Sequence, residues 1–262
     1  MLVPNGITTP YDTISNLSIE GGDIDRVLTE DSLGLNASLV RPRADRMTIS
    51  YRVDRAARGA VYPAAAFKVR KNRFTHAAQT LARHSQRLAQ QAGGGRAGMQ
   101  ALVREAETLF AYAHPEHRFN DGLDEVPHLS CAMTPGSCVD INTYLVASLR
   151  AAGYEAAYFY GYFFPEDRGG FARDGHCWVV TRHDGEILEW DIAHHLKADL
   201  GPTQPGLNPR PGQRVAISHS MGHVYAGVNA RQGLKVLGEP LALDVHCVPM
   251  DTGLSIRLTP WL

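Results

Sequence analysis

The chain has 262 residues, 44% of them hydrophobic and 20% charged, which is enough for a sizeable core in one large domain or in one domain with a smaller companion. With 26 basic against 27 acidic residues the formal net charge is -1, so charge gives no case for nucleic acid or a membrane as partner. The longest apolar run, residues 156–164, falls well short of the roughly 18 residues of a membrane span, and residues 1–10 lack the basic and apolar regions of a secretory leader. Four cysteines without tight pairing read as reduced thiols, and the expected compartment is the cytoplasm.

Residues 1–70 show no long helical pattern, and Met47-Thr48-Ile49-Ser50-Tyr51-Arg52-Val53 alternates like a strand. The expectation is a small β-rich or loop-rich N-terminal segment ahead of a core over residues 71–262. Within 75–91, Ala78, Leu81, Ala82, Leu88 and Ala89 recur at helical spacing, and Gly93-Gly94-Gly95 ends that helix. Met99, Leu102, Val103, Ala106, Leu109, Phe110 and Ala113 predict a second helix.

Ser137 followed by Asp140 forms a capping pattern, after which Ile141, Tyr144, Leu145 and Leu149 keep helical spacing until Gly153. Cys138 therefore falls in the first turn of a helix. Unpaired amides and the positive end of the helix dipole stabilise a thiolate there, and a nearby imidazolium lowers the thiol further from its free value of about 8.5. The same amides suit an oxyanion. An isolated cysteine is more often a small buried hydrophobe, but this placement and the histidine and acid that follow favour a nucleophile. Asn142, one turn on, shares the face of Cys138 and is a candidate to line the substrate pocket or orient a loop.

Two strand-like runs, Trp178-Val179-Val180-Thr181-Arg182 and Glu186-Ile187-Leu188-Glu189-Trp190, flank His183-Asp184-Gly185, and Asp-Gly is a strong hairpin signal. A two-residue turn makes His183 face Glu186, Trp178 face Asp191 and His176 face Ala193. His176 and Asp191 are then diagonal neighbours on one face, with Cβ atoms roughly 7 Å apart and side chains able to meet in a hydrogen bond. Cys177 alternates with His176, so its side chain is expected to point away as a core thiol. Cys131, in the loop before Cys138, is a candidate resolving thiol. His128 is the candidate second oxyanion donor. His219 and His223 are four apart, but no glutamate follows His219 and Gly222 weakens a helix, so no metal is expected. Tyr160 and Tyr162 read as sheet residues. Residues 201–212 hold Pro202, Pro205, Pro209 and Pro211 and predict an irregular surface loop rimming the site. Residues 241–248 and 254–258 alternate like two antiparallel strands completing the sheet.

The blocks Gly136-Ser137-Cys138-Val139-Asp140, Leu149-Arg150-Ala151-Ala152-Gly153-Tyr154-Glu155-Ala156, Gly161-Tyr162, His176-Cys177-Trp178-Val179 and Trp190-Asp191 together resemble the core of the transglutaminase-like superfamily, over about residues 97–195. The resemblance implies an α+β, papain-like fold in which a nucleophile-bearing helix packs on an antiparallel β-sheet. It assigns the nucleophile to Cys138, the general base to His176 and the orienting acid to Asp191, and it implies acyl transfer at amide or ester carbonyls without a cofactor. Ile192-Ala193-His194-His195 stands where the family usually has Pro, Ser or Thr after its aspartate. The segment after Cys138, with Asp140 and Asn142, also resembles arylamine N-acetyltransferases, but Trp178 and the Gly-Tyr strand fit the first family better.

The expected function is a cysteine-dependent peptidase or amidase acting on a peptide or small-molecule acyl donor. The alternatives are an amide-forming acyltransferase, which adds an amine acceptor, and a non-catalytic binding module of the same fold.

Overall fold

A computed structural model describes residues 1–130, 133–228, 233–246, 248–250 and 253–259. Cys131, and Cys247 of the predicted C-terminal strand, lie outside the described residues.

In chain order the elements begin with β1 (Leu2–Pro4), β2 (Asp12–Glu20), β3 (Gly22–Glu30), β4 (Leu35–Pro42) and β5 (Thr48–Arg55). Helices α1 (Gln79–Gln91) and α2 (Gly95–Leu109) follow, then β6 (Phe110–Tyr112), β7 (Thr134–Gly136) and α3 (Cys138–Ala151). Next come β8 (Glu155–Pro165), β9 (Phe171–Ala172), β10 (Gly175–His183), β11 (Glu186–Trp190), α4 (Ile192–Ala198) and β12 (Gly212–His219). The last strands are β13 (Ala242–Leu243), β14 (Pro249–Met250) and β15 (Ile256–Arg257). None of the helices among the described residues is long and apolar enough to cross a membrane.

The chain forms two compact units, one of Met1–Ala66, Tyr160–Gly175 and Gln213–Leu262 and the other of Phe67–Phe159 and His176–Gly212. In the first, β1, β4 and β3 form an antiparallel sheet and β2 pairs with β5. Tyr162 and Phe164 from the far end of β8 pack there with Val215 and Ile217 of β12 and with Ile256. The C-terminal expectation is corrected here. Among the described residues β13 pairs with β14 and β15 with β9, so these short strands make separate ribbons instead of completing the main sheet. Pro249 enters β14 without an N–H to give, which limits how far such a strand extends.

The second unit explains the helices. α1 buries Leu81, Ser85 and Ala89, and α2 buries Gly98, Met99, Leu102, Val103 and Ala106, each a single apolar face. α3 is buried on every side from Cys138 to Leu149, as a central helix must be. The helical spacing predicted through Ala113 breaks earlier, because Phe110 turns extended and β6 pairs in parallel with β7. Beside these helices, β11, β10 and the near half of β8 lie in that order.

The β10–β11 register runs from Val179 opposite Trp190 to His183 opposite Glu186. Asp184 and Gly185 both take positive φ, 49° and 78°, the turn that matches strand twist. The ladder stops at Trp190. Asp191 leaves it to cap α4, so Trp178–Asp191 and His176–Ala193 do not pair as the extended register expected.

Candidate active site

Cys138 enters α3 through a tight corner. A Cβ on Gly136 would lie 2.6 Å from the Phe110 ring, so only glycine lets β7 pack this close before the helix. Ser137 is the N-cap, and its backbone N–H and hydroxyl each donate to Asp140 Oδ2 at 2.8 Å. Arg118 donates from Nη1 to the same oxygen at 2.7 Å and to Ser137 Oγ at 3.0 Å. Asp140 is fully buried, so the guanidinium compensates a carboxylate that holds the first turn in place. The leading N–H groups of α3 have no intrahelical acceptor and face the nucleophile's end of the helix.

His176 and Asp191 meet as the hairpin predicts, although the contact is made from a helix cap and not across the ladder. His176 Nε2 lies 2.8 Å from Asp191 Oδ2, and the residues are 8% and 0% exposed. That bond leaves Nδ1 as the ring atom for Cys138, whose sulfur is hydrogen-bonded to the imidazole. Asp191 Oδ1 accepts from the backbone N–H of His194 at 3.0 Å, which is the N-cap bond of α4.

The electrostatics follow from these contacts. The Cys177 thiol, then the His176 imidazole and the Cys177 backbone N–H, hold the Cys138 thiol well below the usual cysteine range against the opposing effect of burial. Burial alone would lower His176, but the charge and hydrogen bond of Asp191 and the Cys138 sulfur raise it to about 9. Burial, and the hydrogen bond and charge of Cys138, push the Cys177 thiol well above its ordinary range. The favoured state is a thiolate–imidazolium pair with Cys177 as a protonated donor beside it.

Cys177 is therefore the side chain that strand alternation misplaces. Its thiol meets Cys138, while Asn142 Nδ2 donates to its carbonyl at 2.9 Å and its sulfur at 3.3 Å. Asn142 is wholly buried, so the contacts it makes are with β10. His128 is not brought to Cys138. It packs on His84 at 4.4 Å between ring centroids, and His84 is paired with Glu105.

Residues 192–195 carry two histidines whose roles the sequence alone did not reveal. His194 stacks on His176 with centroids 3.9 Å apart and planes 6° from parallel, and its Nδ1 lies 2.9 Å from Asp191 Oδ2. His195 Nε2 accepts from Gln204 N–H at 3.3 Å, which fixes the proton on Nδ1, and Nδ1 donates to the Asp191 carbonyl at 2.9 Å. The loop over 201–212 is tied down here, with Thr203 donating twice to Glu107 and Gly206 N–H to the Glu189 carbonyl. Two histidines at the third and fourth positions after a helix-capping aspartate were the available signal.

Donor atoms of His176, Asp191 and His194 lie within 4.8 Å of one another, which raises the question of a metal. A bound ion sits in the plane of each imidazole at about 2.0–2.1 Å. Two stacked, parallel rings aim their lone pairs along separate planes, so no point serves both. His219 and His223 also serve structure. His223 Nε2 donates to the His219 carbonyl at 2.9 Å, and its Nδ1 accepts from Leu237 N–H at 3.2 Å.

Residues 82–190 match the profile of the transglutaminase-like superfamily, a stretch that spans α3 and the hairpin carrying His176. Over that stretch the chain is similar to this superfamily. The chain is also similar in fold to a solved structure from Cytophaga hutchinsonii, a candidate cysteine protease, at 12% identity and a TM-score of 0.50 over 91% of this chain and 89% of that one. The periplasmic domain of TgpA from Pseudomonas aeruginosa is 18% identical, with a TM-score of 0.43 over 75% of this chain and 72% of that one. No curated protein matches the sequence.

Proposed function

We propose that this transglutaminase-like protein is a cysteine-dependent acyl-transfer enzyme of the peptidase or amidase type. The observation that carries the reading is one imidazole held between the Cys138 sulfur and the Asp191 carboxylate, with the thiol lowered and the imidazole raised. The Cys138 thiolate attacks an amide or ester carbonyl, and the developing oxyanion meets the leading N–H groups of α3. His176 gives its Nδ1 proton to the departing amine or alcohol, leaving a thioester on Cys138. The same nitrogen then takes a proton from water, whose oxygen attacks the thioester and restores the thiolate. Asp191 keeps the proton on Nε2 throughout.

Water as acceptor needs no second binding site, which favours hydrolysis over transfer to an amine. The test is mass spectrometry of the intact protein mixed with activated esters and a peptide amide library, with and without hydroxylamine. Acylation confined to Cys138, absent from Cys138→Ser, and turnover unchanged by hydroxylamine is the expected result. Faster turnover with the amine would make the protein a transferase. No adduct on Cys138 with any donor would overturn the enzymatic reading.

A further inference from the structure

A residue outside the triad also constrains the plane of the His176 ring. A histidine ring has a broad second torsion, and a hydrogen bond at Nε2 alone does not fix the plane of the ring. In this site one face of the ring is covered by His194 at 3.9 Å and 6°, while Trp178 lies at 6.5 Å and 21°. His194 Nδ1 and His176 Nε2 approach the same oxygen, Asp191 Oδ2, at 2.9 and 2.8 Å. The backbone N–H of His194 fixes the other carboxylate oxygen at 3.0 Å. One residue thus holds both the acid and the plane of the base.

We infer that His194 is a positioning residue for the proposed acyl transfer, clamping the His176 ring flat so that Nδ1 stays turned toward Cys138. The inference rests on the function proposed above. An aromatic face laid on an imidazolium also favours its charged form. Without that face His176 keeps its bond to Asp191 but samples orientations in which Nδ1 misses the sulfur, and the thiolate loses its counter-ion. The role belongs to α4, since the N-cap geometry of Asp191 is what puts the third residue of the helix over the ring.

The experiment is the rate of Cys138 alkylation by iodoacetamide against pH in the parent protein, His194→Ala, His194→Leu and His194→Phe, with thermal melts alongside. Leucine keeps the volume without a flat ring, and phenylalanine keeps the flat ring without nitrogen. The expected result is a midpoint raised by about one pH unit, hence about a tenfold lower rate at pH values below the parental midpoint, in Ala and Leu. His194→Phe is expected to recover most of that rate. A parental midpoint in Leu, or a Phe variant as impaired as Leu, overturns the inference. A parent that itself reacts like a free thiol strikes at the proposed function instead.

Discussion

The Cys177 thiol and the Cys177 backbone N–H both serve the sulfur of Cys138. The residue next to His176 in sequence therefore acts on Cys138 directly. A hydrogen bond to a charged group is worth about 1.5–3 kcal/mol, or roughly one to two pKa units. Cys177→Ala is expected to raise the midpoint of Cys138 alkylation by that amount, whereas Cys177→Ser, which keeps a donor, stays near the parent. Stopped-flow alkylation across pH measures both. An unmoved midpoint in Cys177→Ala would show that the backbone N–H and His176 suffice.

The pH profile of turnover should be a bell whose basic limb falls near 9. His176 is raised to about 9, so the imidazolium that protonates the leaving group is present below that value and lost above it. Cys138 is lowered, so its thiolate is lost only on the acid side. The sign of linkage follows for stability. Folding raises the His176 pKa from 6.5, so its contribution is complete below 6.5 and fades as pH rises through about 9. Initial rates with the substrate found in the acylation screen decide it, and a basic limb at 6.5 would contradict the paired state.

How much of this was legible in the sequence depends on whether the signal was local. Asp184-Gly185 set the hairpin register, and Ser137 with Asp140 set the start of α3, because turn and cap chemistry act over a few residues. The end of the ladder was not legible. Asp191 reads equally as a strand residue or an N-cap, and α4 decided the matter. Cys177 was misplaced because period-2 alternation assumes a regular strand, yet at this first stretch of β10 neighbouring residues both reach Cys138. Arg118 reaches Asp140 over 22 positions, a separation that no local pattern encodes. Phe110 ended α2 for the same reason, since its partner Thr134 lies far along the chain.

Asp191 has two jobs that substitution can separate. It orients His176 and it caps α4. Asparagine caps a helix as well as aspartate but carries no charge and presents an amide to the imidazole. Asp191→Asn is expected to be more stable than Asp191→Ala by the roughly 1 kcal/mol a cap contributes, with a higher melting temperature, while turnover falls by about 10⁴-fold in both. Calorimetry and single-turnover acylation measure the two effects. Equal melting temperatures would remove the capping role.

Thr181 separates stability from chemistry. Its hydroxyl accepts from Trp190 Nε1 at 2.9 Å, and both residues are fully buried. Thr181→Val keeps the shape and leaves the indole N–H without its acceptor, which costs about 1–3 kcal/mol. Denaturant melts should show that loss while the alkylation midpoint of Cys138 stays at the parental value. A moved midpoint would mean that the hairpin transmits strain to the site.

Arg118 is the last residue whose removal should reach the nucleophile without touching the triad. Its guanidinium bonds Ser137 Oγ and Asp140 Oδ2, and Asp140 in turn holds the Ser137 N–H that opens α3. Arg118 is held above its ordinary pKa, since the bond and charge of Asp140 outweigh partial burial, and Cys138 adds to the rise. Arg118→Gln keeps one donor and loses the charge, leaving the buried Asp140 carboxylate with only Ser137 as partner. The expected cost is about 1–3 kcal/mol of stability. The loosened first turn and the lost cation should also raise the Cys138 midpoint, because both favour the thiolate in the parent. Arg118→Lys, which restores a charge but not the fork that spans Ser137 and Asp140, should recover part of the midpoint and little of the stability. If Lys recovers stability in full, the fork geometry is irrelevant and Arg118 acts on α3 by charge alone.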